Sequence, residues 1–107
     1  MNPENLNELM TRAREAQEKL GQLQQELATR QVEASSGGGM VTAVATGALR
    51  IAELRIETSL LESGDRELIQ DLSAAAVNAA LESAQRMVQE ELQRHSAELG
   101  LPVMPGA

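Results

Sequence analysis

Residues 32–56, VEASSGGGMVTAVATGALRIAELRI, are the only stretch of this chain with strand character, and they stand between two long segments of helical periodicity. Runs rich in Val, Ile, Thr and Ala, punctuated by Gly37, Gly38, Gly39 and Gly47, predict hairpins. Three short antiparallel strands follow from this, near residues 31–34, 40–46 and 49–56. In the middle strand Val41, Ala43 and Ala45 share one face, and Thr42, Val44 and Thr46 the other. In the third, Ala52, Leu54 and Ile56 share a face, while Leu49 and Ile51 break the alternation and point to a bulge near Arg50. The fold class is α+β: a three-stranded meander with a long helix at either end.

The first flank begins with Asn2 and Pro3, an N-cap and first helical position. Leu6, Leu9, Ala13, Ala16, Leu20, Leu23 and Leu27 then alternate spacings of three and four, a heptad seam. A helix over residues 3–30 is roughly 40 Å long, more than a small sheet covers. The seam therefore reads as an arm or dimerisation helix, or as a helix packed on its own chain. After the sheet, Ser59-Leu60-Leu61-Glu62 has capping-box spacing and predicts one short turn. Asp65 is placed to cap a second helix over residues 66–99, free of proline and glycine, with Gly100 and Pro102 to stop it. Its first half is rich in alanine, which lets a sheet or helix approach closely. Its second half carries a narrower seam of Leu81, Ala84, Val88, Leu92, His95 and Leu99. One domain is expected over residues 1–101, with a flexible tail over 102–107.

Composition excludes more than it assigns. The chain has no Phe, Tyr or Trp, so its core is aliphatic and thin for a monomer of 107 residues, and no ring is available to stack on bases. It has no cysteine, which excludes disulfides and thiolate chemistry. No apolar run has membrane-spanning length and the start is unlike a signal peptide, so a cytoplasmic protein is expected. His95 is the sole histidine, a poor candidate for metal or catalysis. Glu62, Asp65, Glu67 and Asp71 straddle a helix start, where the dipole explains them without a metal. The Ser35 to Gly39 stretch lacks the Lys-Ser/Thr ending of a phosphate loop. No enzyme activity, cofactor, metal or small-molecule ligand is expected.

The net charge of −7 makes the chain a poor general binder of polyanions. The first helix is the least acidic part. Off its seam lie Arg12, Arg14 and Lys19, with Glu8–Arg12 and Glu15–Lys19 spaced as surface ion pairs. Charge alone favours a solvated face over a phosphate-contacting stripe.

The order helix, three strands, long helix resembles the YbaB/EbfC family of bacterial nucleoid-associated proteins. The similar stretches are Leu9, Met10, Ala13 and residues 17–20; residues 36–41 with Gly47 and Ala48; residues 56–62; Leu68, Asp71, Leu72, Ala75, Ala76 and residues 78–80; and Leu101-Pro102 with Pro105-Gly106. The resemblance implies a cytoplasmic, nucleoid-located homodimer with projecting helical arms, which binds duplex DNA and organises the chromosome without catalysis. Lys19 matches a basic position usual in the family's first helix, while Arg12 and Arg14 stand where other members often have Gln or Lys nearby. In a dimer Arg12, Arg14 and Lys19 would lead the DNA contact, and Arg86 and Arg94 would extend it if the second helix packs beside the first. Arg50 and Arg55 are expected to pair locally with Glu53 or Glu57. Without aromatic side chains, contact would be mainly to phosphate. The alternative, favoured by the acidic charge, is a dimeric protein-interaction scaffold in replication or recombination with weak or absent DNA binding.

Overall fold

The computed structural model describes residues 3–98. Asn2, Leu99, Gly100, Pro102 and the tail over 102–107 lie outside the described residues, and the expectations for them with it. The elements are α1 (Pro3–Thr29), β1 (Gln31–Ser36), β2 (Val41–Thr46), β3 (Ile51–Ile56), a short α2 (Thr58–Glu62) and α3 (Arg66–Glu98). The strands form one antiparallel sheet in the order β1-β2-β3. The expected α+β meander between two long helices is the observed fold.

α3 lies across one face of this sheet. Ala76, Ala80 and Ala84 recur every four residues and so line one face of the helix. They are fully buried with Val41, Ala43 and Ala45 of β2, and Leu60 of α2 closes the end of the core. Alanine on both sides lets the helix settle close to the sheet. β1 joins β2 through a single 3-10 turn at Gly37–Gly39, in which all three glycines have positive φ. Ser36 Oγ donates to the Leu72 carbonyl at 2.6 Å and ties this turn to α3. Asp65 caps α3 as expected, its carboxylate accepting from the Leu68 N–H at 3.1 Å.

The structure corrects three details. The bulge lies at Ala52 rather than at Arg50: Val44 faces Glu53 and Ala45 faces Ile51, so Ala52 has no partner on β2. This extra residue returns Ile51 to the face of Leu54 and Ile56, and resolves the parity break. Second, α2 starts at Thr58, with Glu57 at its cap and no side-chain cap bond, so the capping box at Ser59 does not form. Third, β1 runs on to Ser36, two residues further than expected.

α1 runs antiparallel to the last part of α3, and only part of its seam is covered. Leu27 is 1% exposed and Leu23 is also buried. Leu20 and Ala16 are half-buried, Ala13 is exposed, and Leu6 and Leu9 are each 50% exposed. The unbroken sequence repeat is therefore split between a docked half and a free half. The β2–β3 turn lies directly under the docked half. Gly47 N–H donates to the Arg30 carbonyl at 3.0 Å, and a Cβ on Gly47 would stand 1.9 Å from the Leu27 carbonyl oxygen.

Candidate nucleic-acid interface

The cations of α1 are carried by its free half and by the residue where docking begins. Arg12 and Lys19 stand seven residues apart, two turns, which places both to the same side of the seam about 10 Å from each other. Arg14 follows Arg12 by two residues and so projects about 160° around the helix from it. α1 thus presents Arg12 and Lys19 as one pair and Arg14 on the far side. All three side chains are exposed. Arg12 is held by Glu8 at 3.2 Å, a solvent-exposed pair of the expected spacing and therefore weak. Among the described residues Arg14 and Lys19 have no ion pair, and the expected Glu15–Lys19 pair does not form.

The cations of α3 lie apart from those of α1 within one chain. An open groove lined by Lys19, Gln22, Leu23, Glu26, His95 and Glu98 shows that Lys19 lies near the level of Glu98. Arg94 is one turn from that level, but its guanidinium donates to Glu91. Arg86 is exposed, yet it lies twelve residues from Glu98, roughly 18 Å along α3. Arg12 is a further two turns away. α1 and α3 meet only near their ends, across an open groove, and one protomer does not bring Arg86 into a patch with Arg12.

Glu91 is the hub of the α1–α3 joint. Its side chain is 17% exposed and lies between Arg94, Arg30 just past the end of α1 at 3.6 Å, and His95 Nε2 at 3.5 Å. The hydrogen bond from Arg94, with the nearby Arg94, Arg30 and His95 charges, holds its carboxyl below the ordinary range against the opposing effect of burial. Arg30 also reaches Glu26 at 3.3 Å. Its role in the joint has no signature in the sequence; the Glu26–Arg30 spacing explains only the local half of it. His95 sits between Glu91 and Glu98. No group of three or more His, Cys, Asp or Glu among the described residues is placed to hold a metal ion.

On the outer sheet face the local pairing expected of Arg55 gives way to a longer one. Its guanidinium crosses β2 to Glu33 at 2.7 Å, and that hydrogen bond raises its pKa further. Arg50 has no ion pair among the described residues. The far edge of β3 is a further feature that no sequence pattern singles out. β1 is edged by Gln31, Glu33 and Ser35, whereas β3 leaves Leu54 42% and Ile51 37% exposed on the face that α3 covers elsewhere. No helix of the described residues is long and apolar enough to cross a membrane.

The sequence matches the model of the YbaB/EbfC DNA-binding family over residues 1–99. It is 43% identical over 96 residues to a nucleoid-associated protein of Acetivibrio thermocellus, covering 90% of this chain and 85% of that one. A nucleoid-associated protein of Thermoanaerobacter pseudethanolicus is 37% identical over 98 residues, covering 92% and 88%. The fold resembles the crystal structure of an uncharacterized protein, HP0035, from Helicobacter pylori, with a TM-score of 0.56 and 28% identity over 79% of this chain and 93% of that one. With this architecture and a match over nearly its whole length, the chain belongs to the YbaB/EbfC DNA-binding family.

Proposed function

We propose that the protein is a dimeric, non-enzymatic component of the cytoplasmic nucleoid that organises the chromosome by binding duplex DNA through phosphate contacts. The observation that carries this reading is the state of the α1 cations. Among the described residues Lys19 and Arg14 are exposed and free of ion pairs, and Arg12 is held only by a surface pair that phosphate can displace. Contacts of this kind position a protein on DNA and carry little sequence information. Arg12 and Lys19 lead on one side of the arm and Arg14 serves the other. Arg86 assists from a separate location, and Arg94 does so only by leaving Glu91. The homodimer is supported by β3, whose unpaired edge and exposed Leu54 and Ile51 offer a second copy both backbone groups and apolar surface.

A mobility-shift titration on duplex DNA across several salt concentrations tests the reading. Removing one cation that neutralises a phosphate flattens the slope of log affinity against log salt by about 0.9. Changing Arg12, Arg14 and Lys19 together to Glu is expected to weaken binding severely while helix content stays constant. Unchanged binding by that variant moves the contact surface elsewhere.

The second reading, a dimeric scaffold for proteins of replication or recombination, draws on the other cations. Arg30, Arg55 and Arg94 are already occupied by carboxylates in a chain of net charge −7. Absence of any shift by the native protein at low salt selects it.

A further inference from the structure

His95 has a carboxylate against each of its ring nitrogens. Nε2 faces Glu91 at 3.5 Å and Nδ1 faces Glu98 at 3.3 Å. A neutral imidazole has one N–H and one bare lone pair, and only the imidazolium donates from both nitrogens. The arrangement therefore suits the charged ring, and a neutral ring must turn a lone pair toward one carboxylate. The two carboxylates are not equally free to move away. Glu91 is 17% exposed and is also held by Arg94 and Arg30. Glu98 is 64% exposed, and among the described residues His95 is its sole ion-pair partner. Glu98 is the side chain that lets go.

Across the joint stands a cation in need of a partner. Lys19 has no ion pair among the described residues, and it lines the same open groove as His95 and Glu98. The other charged groups around the ring are already engaged. On α3, Arg94 is drawn to Glu91. From the α1 side, Glu26 lines the groove but is held by Arg30, which also reaches Glu91. We propose that Glu98 is exchanged between His95 and Lys19 as the histidine gains and loses its proton, which makes the groove a pH-dependent latch on the Lys19 ammonium. With His95 charged, Glu98 stays on α3 and Lys19 is open to an anion. When Nδ1 loses its proton, the ring keeps its Nε2–H toward Glu91, and Glu98 closes across the groove onto Lys19. The consequence for DNA rests on the reading of Lys19 as a phosphate contact: affinity falls as pH rises through the titration of the ring. An exposed ion pair competes only weakly, so the fall is roughly two- to fivefold.

The chain contains one histidine and one lysine, so each partner gives its own NMR signals once those two residue types are labelled. Histidine is the side chain that ordinarily changes charge in the range from about pH 5.5 to about pH 8. Over that range the Lys19 side-chain resonances are expected to move with the same midpoint as the His95 ring. Glu98→Gln is expected to stop this movement while the ring still titrates, and His95→Gln to hold Lys19 at its high-pH position throughout. Neither side chain belongs to the buried core, so both variants keep the fold, as circular dichroism checks. A Lys19 signal that stays fixed while His95 titrates overturns the exchange. A movement undiminished in Glu98→Gln also overturns it, because it would report only the charge of the nearby ring. In mobility shifts on duplex DNA at constant salt, the native protein is expected to lose roughly two- to fivefold in affinity across the range, and Glu98→Gln to lose less. Movement of Lys19 with no such loss leaves the exchange standing and removes Lys19 from the DNA contact.

Discussion

Gly47 is required for room, whereas its sequence context suggested a turn glycine. The positive φ of the β2–β3 turn falls instead on Leu49, at 61°, a region that costs a branched side chain energy. Gly47 is placed where α1 comes down on the turn, and any Cβ there would collide with the Leu27 carbonyl oxygen. The neighbour is backbone, so the collision is relieved only by moving α1 or the turn. Gly47→Ala is therefore expected to destabilise the fold by about 1–3 kcal/mol, read as a lower midpoint in thermal unfolding followed by circular dichroism at 222 nm. An unchanged midpoint would show that α1 shifts freely. The sequence marked this glycine correctly as special, but the reason depends on a helix twenty residues away in the chain, which no local pattern records.

At the level of elements, the helices and strands were legible because each carries its own period. Asp65 could be named as a cap because its bond to Leu68 is local. The bulge announced itself in the parity of Leu49 and Ile51, though its position at Ala52 depended on pairing with β2. The α1 seam was legible as a repeat, but the repeat does not tell where α3 stops covering it. The candidate site was less legible still, because Arg30, Arg55 and Arg94 choose partners according to which carboxylates the fold brings near. The α1–α3 joint through Arg30 and Glu91 gives a prediction at this scale. The Glu91 carboxyl titrates below its ordinary 4.5, so its stabilising effect is present above that value and is lost as pH falls through the lowered one. The midpoint difference between the native protein and Glu91→Gln is expected to shrink on going from about pH 6 to about pH 3, measured by thermal melts across that range. A difference independent of pH would exclude the carboxylate charge as its cause.

The whole molecule measures 74 × 22 × 15 Å, and its radius of gyration is 20.4 Å. A compact chain of this length has a radius near 13 Å. The excess comes from α1 and α3 overlapping only at their ends, and among the described residues nothing covers the arm or the β3 flank. An aliphatic chain with this much open apolar surface is expected to run in light scattering at about 23 kDa, twice its 11.5 kDa mass. Leu54→Lys should shift it toward the single-chain mass by placing charge on the β3 edge; a native mass of one chain at micromolar concentration rules the dimer out. The same elongation gives the contact at Gly47 a mechanical meaning. α1 is a rigid rod resting on that turn, with Leu27 as its fulcrum and Leu6 some 30 Å out along the beam. A tilt of about 10° at the fulcrum would swing the Leu6 end through roughly 5 Å, so a small change in packing at the turn would be amplified at the tip of the arm.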